Sequence, residues 1–125
     1  MLMSGEIPDD IREFIRRYIS SVSLLEVLLL MKRDSTKAWR AEDISSEMRT
    51  NVSYASSQLA ELAAAKLIVN NGEGYEFPAH SKQMDILNRL EELYANRRSS
   101  VIGFIYSQPI DSIRDFANAF KIKKD

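Results

Sequence analysis

AEDISSEMRTNVSYASSQLAELAAAKLIVNNGEGYEF, residues 41–77, reads as two short helical patterns closing on a hairpin. A helix from about Ala41 to Arg49 buries Ile44 and Met48, whose spacing of four puts them one above the other on a helix face. Thr50 and Asn51 make a turn, and either can cap the next helix, because their short side-chain oxygens reach the free amides of a first helical turn. In that next helix Val52, Ala55, Leu59 and Leu62 share one stripe and form its buried set, while Ser53, Tyr54, Ser57, Gln58 and Glu61 take the opposite face. After Leu67, Ile68 and Val69 the period shifts toward two. Asn70, Asn71, Gly72, Glu73 and Gly74 make the turn, with glycine supplying positive φ at low cost, and Tyr75 and Phe77 return as the partner strand.

Upstream, Pro8 with Asp9 and Asp10 is a helix-start signal, since proline fits the first turn and carboxylates favour its positive end. Ile11, Phe14, Ile15 and Tyr18 follow at helical spacing. The cluster Ser20, Ser21, Ser23 interrupts that helix, and Ser23 with Glu26 forms a capping-box pattern for a second one, Leu24 to about Arg33. The second helix is apolar nearly all round, which predicts a central buried element. Asp34 to Lys37 reads as a loop, and Ala38, Trp39 and Arg40 as a brief strand, with Trp39 plugging the core rather than stacking on a base.

Past Pro78, a stripe of Met84, Leu87, Leu90, Tyr94, Val101, Ile102 and Ile105 predicts one long helix over residues 81–106, and a helix of that length in a small domain suggests pairing with a second copy. The competing reading breaks it at Ser99 and Ser100 and makes VIGFIY a buried strand; the spacing favours helix. Pro109 ends the element. Residues 110–125 are expected to hold a short helix, with Ile113, Phe116, Ala117 and Phe120 inward, and a basic tail.

The length of 125 residues fits one domain, and 45% hydrophobic with 28% charged residues is ordinary globular composition that argues against disorder. There is no cysteine, so disulfides and thiolate metal sites are excluded, and the single histidine, His80, makes no metal constellation with the scattered carboxylates. No apolar run approaches the roughly 20 residues that span a bilayer, and the acidic turn of the N-terminus is unlike a leader, so a cytoplasmic chain without a membrane partner is expected. Net charge is −1, which carries no global signature of a nucleic-acid binder.

The order of elements, and the pattern L-x-x-L-x-x-x-K-L-I from Leu59 to Ile68 followed by G-x-G-Y-x-F from Gly72 to Phe77, resembles bacterial winged helix-turn-helix regulators of the multidrug-resistance-repressor and phenolic-acid-repressor type. The likeness covers roughly residues 22–106. It implies a mainly α fold with a winged core over 22–77, a small β-hairpin wing, an N-terminal helix and a long C-terminal helix. It further implies a transcription regulator whose third helix enters the major groove of double-stranded DNA. Ser53, Tyr54, Ser57 and Gln58 would then face the groove, Asn70 and Asn71 would make the wing contacts, and Arg49 and Lys66 would meet phosphates. A homodimer would form through Leu87, Leu90, Tyr94, Val101, Ile102 and Ile105. Lys66 stands where the pattern commonly has glycine, so the left-handed helix end is expected to be lost.

Charge keeps a second function open. From Arg40 to Phe77 there are three cations, Arg40, Arg49 and Lys66, against six carboxylates, a local charge of −3. Phosphate neutralisation supplies nearly all non-specific DNA affinity, so the alternative is a winged-helix module that binds a protein partner and not DNA. Other cations, such as Arg12, Arg16, Arg17, Arg97, Arg98 and Lys121, lie toward the two ends of the chain and could rim the reading face. No catalytic triad, phosphate loop or carboxylate pair with a supporting base is present, so neither an enzyme nor a cofactor is expected. An effector pocket against the winged core could use Tyr94, Phe104 or Tyr106, though the same residues serve equally as core or dimer contacts.

Overall fold

The computed structural model describes residues 7–78 and 81–107, and the expectations for His80 and for residues 110–125 lie outside them. Six helices and one two-stranded antiparallel sheet make up the described residues: α1 Asp9–Tyr18, α2 Val22–Arg33, α3 Ala41–Met48, α4 Val52–Ala64, β1 Val69–Asn70, β2 Tyr75–Glu76, α5 Met84–Asn96 and α6 Arg98–Tyr106. The mainly helical fold with a small hairpin is as the periodicity predicts. No helix among the described residues is long and apolar enough to cross a membrane.

Helix α2 is the centre of the core. Leu24, Leu25, Val27, Leu28 and Met31 are fully buried there, each contributing about 2 kcal/mol by removal from water. Its cap is Ser21, whose Oγ accepts the Leu24 amide at 3.0 Å, and not Ser23 as the capping-box pattern suggested. Ser23 lies inside the first turn, where its Oγ accepts from Gln58 of α4.

Helices α1, α5 and α6 close the other side. Arg89 of α5 donates to Asp10 of α1, a pairing that holds the Asp10 carboxyl below its usual range. Lys32 of α2 reaches Glu91 of α5 at 2.6 Å, and Glu26 of α2 accepts both the Tyr94 hydroxyl at 2.6 Å and the Arg98 guanidinium at 2.9 Å. That one carboxylate ties α2 to α5 and α6.

The single long helix expected over 81–106 is corrected to two. The break falls at Arg97, with φ −134 and ψ 50, and the stretch from Arg98 to Tyr106 is helix rather than strand. The turn brings Val101 and Ile105 into the same core as Leu87, Leu90 and Tyr94. A straight helix would carry Val101 and Ile105 away from that core, so their burial within one chain favours the break.

The hairpin pairs Val69 with Glu76 and Asn70 with Tyr75. An isolated bridge joins Tyr75 to Trp39, with the Trp39 amide donating to the Tyr75 carbonyl at 2.6 Å and the Tyr75 amide returning at 2.7 Å. Trp39 is buried, as expected, and the Lys37 ammonium lies 4.1 Å from its ring centroid.

Candidate nucleic-acid interface

Helix α3 starts at a one-sided cap, with the Arg40 amide donating to the Asp43 carboxylate at 2.9 Å. It ends at Arg49, which takes the left-handed conformation, φ 56 and ψ 51, so that the Thr50 amide can turn back to the Ser45 carbonyl at 3.0 Å. Asn51 then caps α4 by accepting the Tyr54 amide at 2.7 Å. Helix, three-residue turn and helix are thus fixed by one left-handed residue and one side-chain cap.

Helix α4 turns Ala55, Leu59 and Leu62 inward, as its periodicity predicts, but two neighbours depart from expectation. Val52 is expected in the buried set and is 43% exposed, as the first residue of the helix, one turn before buried Ala55. Gln58 was expected to face the groove and is instead 3% exposed, its Nε2 donating to Ser23 Oγ at 2.8 Å. It braces α4 against α2 and is removed from the candidate reading face. Ser53, Tyr54 and Ser57 are exposed there, with the Ser57 hydroxyl donating back to the Tyr54 carbonyl at 2.9 Å.

Lys66 overturns the expected loss of the helix end. It adopts φ 63 itself, the Leu67 amide reaches the Leu62 carbonyl at 3.0 Å, and the Lys66 amide reaches Ala63 at 2.9 Å. These two bonds make a Schellman ending with lysine where glycine is usual, and buried Leu62 and Leu67 supply its apolar contact.

Asn70 and Asn71 mainly build the hairpin tip. Asn70 Oδ1 accepts the Gly72 amide, Asn71 Oδ1 accepts the amides of Glu73 and Gly74, and Asn71 Nδ2 donates to Glu76. These bonds shape the tip, and the Asn70 side-chain nitrogen has no partner among the described residues. Arg40 was counted as a cation and given no role. Its Nε donates to the Glu73 carbonyl at 3.0 Å, setting a guanidinium beside the tip. The partners are 33 residues apart, so no local pattern could have shown it.

Several of the carboxylates behind the local charge of −3 have their own partners or face elsewhere. Asp43 caps α3, Glu61 accepts the Ser20 hydroxyl at 2.8 Å, and Glu76 holds Asn71. Glu47 lines a half-open groove of about 410 Å³ against α2 and α5, with Leu29, Met48 and Tyr94 among its other walls. Between Arg49 and Lys66, Glu61 is the one charged residue, and neither cation has a side-chain partner among the described residues. Of the terminal cations expected as a rim, Arg12 pairs with Asp9, Arg16 and Arg17 with Glu13, and Arg98 with Glu26, while Lys121 lies outside the described residues.

Of the aromatic residues named for an effector pocket, Tyr94 lines the groove. Burial, with help from the Glu26 carboxylate, pushes its hydroxyl up to about 12. Phe104 instead lies under the Arg16 guanidinium, 5.7 Å from its ring centroid, and Tyr106 is 73% exposed. Leu87, Leu90, Tyr94, Val101 and Ile105, named for a dimer contact, are buried within one chain; Ile102 is half-buried. The expected interface through those five is corrected to intramolecular core.

Comparison with models of known protein families, with curated proteins and with solved structures found no match.

Proposed function

We propose that this chain is a cytoplasmic DNA-binding regulator of transcription of the winged helix-turn-helix type, with α3 and α4 as the helix-turn-helix and the β1–β2 hairpin as the wing. One observation carries the reading: an exposed face of α4 whose single charged group is held to one side by Ser20, bracketed by Arg49 and Lys66, cations without a side-chain partner among the described residues. Thirteen residues of α4 span about 20 Å at the usual helical rise. The major groove is about 12 Å wide, so cations at the two ends of such a helix can meet phosphates on opposite walls while Ser53, Tyr54 and Ser57 lie over base edges. Arg40 beside the hairpin tip adds a third cation for the adjacent backbone.

Two copies per site belong to the same reading, and with the core residues of α5 and α6 spent inside one chain, pairing falls to the outer face of α6 at Ile102 and Tyr106. The second reading, a protein-binding module, draws on the excess of carboxylates over cations from Arg40 to Phe77.

Binding to a mixed-sequence duplex across a salt series separates the two. The regulator reading expects affinity that falls steeply with salt, and in Arg49→Glu weaker binding with a salt slope flatter by about 1, the loss of one phosphate contact. Absence of binding at low salt would exclude it and leave the protein-binding module. Sedimentation equilibrium of the same samples reads the number of copies.

A further inference from the structure

We infer that α4 discriminates DNA by the 5-methyl group of thymine, with Val52 as the residue that reads it, an inference that rests on the DNA-binding reading above. Discrimination of guanine in the major groove is commonest through a bidentate Arg or Lys, and of adenine through a bidentate Asn or Gln. Helix α4, VSYASSQLAELAA, contains no Arg, Lys or Asn, and its one Gln is buried against Ser23. Asn51, just before the helix, has its carbonyl oxygen committed to the Tyr54 amide. Arg49 and Lys66 sit beyond the two ends of the helix, where they complement phosphate charge rather than base edges.

What α4 does present is hydroxyls and an apolar group. Serine hydroxyls bond to any base, and that of Ser57 already donates to the Tyr54 carbonyl, so Ser53 and Ser57 hold position without selecting sequence. Val52 is the exception. It is the first residue of the helix, β-branched and 43% exposed, at the open end of the stripe whose other members, Ala55, Leu59 and Leu62, are buried. The N-terminal residues of a recognition helix are those that approach base edges, and thymine is the one base whose major-groove edge carries a methyl group. Burial of that methyl against the Val52 methyls removes apolar surface from water on both sides. The site class is therefore duplex DNA whose major-groove edge offers thymine methyl groups.

The test uses three duplexes of equal length: alternating A·T, the same duplex with uracil in place of thymine, and alternating G·C. Replacing thymine by uracil deletes the methyl group alone. The wild type is expected to bind the thymine duplex about fourfold more tightly than the uracil duplex for each methyl group contacted, and the G·C duplex more weakly than the thymine duplex. Val52→Ala should bring the thymine-to-uracil ratio close to one while keeping its affinity for the uracil duplex; Val52→Thr, similar in shape with one methyl exchanged for a hydroxyl, should give an intermediate ratio. Equal binding of thymine and uracil duplexes by the wild type, with affinity still salt-steep and dependent on Arg49, overturns the methyl readout and leaves the DNA-binding reading intact. A ratio that survives Val52→Ala overturns the assignment to Val52. No binding to any duplex at low salt removes both. Val52 is exposed and alanine favours helix, so loss of folding does not enter the comparison.

Discussion

Arg49 and Lys66 hold backbone that L-residues seldom adopt, with φ 56 and 63. Left-handed backbone costs a non-glycine residue on the order of 1 kcal/mol, and each of these positions ends a helix where glycine would relieve that cost. Lys66→Gly is accordingly expected to raise unfolding stability by about 1 kcal/mol, read as a higher urea midpoint at unchanged m-value. If Lys66 meets phosphate, the same change weakens DNA binding, so stability and affinity move in opposite directions. At this scale the sequence is legible where an interaction is local. Trp39 as core follows from residue type and position, and so does a cap at Thr50 or Asn51, of which the structure uses Asn51. Gln58 does not, because a polar side chain next to Leu59 reads as outward until its partner Ser23, 35 residues away, is known. Lys66 misleads for a related reason: a preference for glycine says what is cheapest at a helix end and leaves lysine free to occupy it.

Among the elements, the helices whose apolar stripe starts and stops between turn residues were readable to within a residue or two. Expected Ala41 to Arg49 becomes Ala41–Met48, and the hairpin turns where its glycines stand. The α5–α6 break was not readable at its true place. Tyr94 and Val101 are seven residues apart, two helical turns, so the stripe continues in phase across Arg97 and periodicity carries no sign of the turn. Neither proline nor glycine marks it, and the cause is tertiary burial of Val101 and Ile105. The hairpin owes its seat to Gly74, where a Cβ would lie 2.7 Å from the Trp39 carbonyl oxygen and 3.1 Å from its carbon. Gly74→Ala should force β2 off Trp39 and cost about 1–3 kcal/mol. Trp39 is the one tryptophan of the chain, so its emission reports the change directly as a shift toward longer wavelength in the folded protein.

Across the whole molecule, Glu26 holds three helices together, and the Tyr94 hydroxyl in that junction has a raised pKa. Burial first, and then the hydrogen bond to Glu26, raise its pKa from 10.0 to about 12, so the neutral phenol is favoured in the folded state. The stabilisation that follows is complete below pH 10 and is lost as the pH climbs toward 12. Urea midpoints of the wild type and Tyr94→Phe should therefore differ most at pH 9 and converge between pH 10 and about 12; a constant difference would show that the hydroxyl does not titrate with folding. The charge balance of the candidate face shows the limit of counting along the chain. A net of −3 is a property of the sequence, whereas the partners of Glu61, Asp43 and Glu76 are set by contacts that composition does not contain.

The bridge between Trp39 and Tyr75 closes a loop of 36 residues that contains both α3 and α4. Closure of a chain that long carries an entropy cost that falls once the intervening segment has become two packed helices, whereas each helix forms through neighbours four residues apart. The order of events in folding follows: helical signal first, hairpin docking last. In a stopped-flow refolding experiment, Trp39 emission should lag far-ultraviolet circular dichroism, and coincident traces would contradict that order.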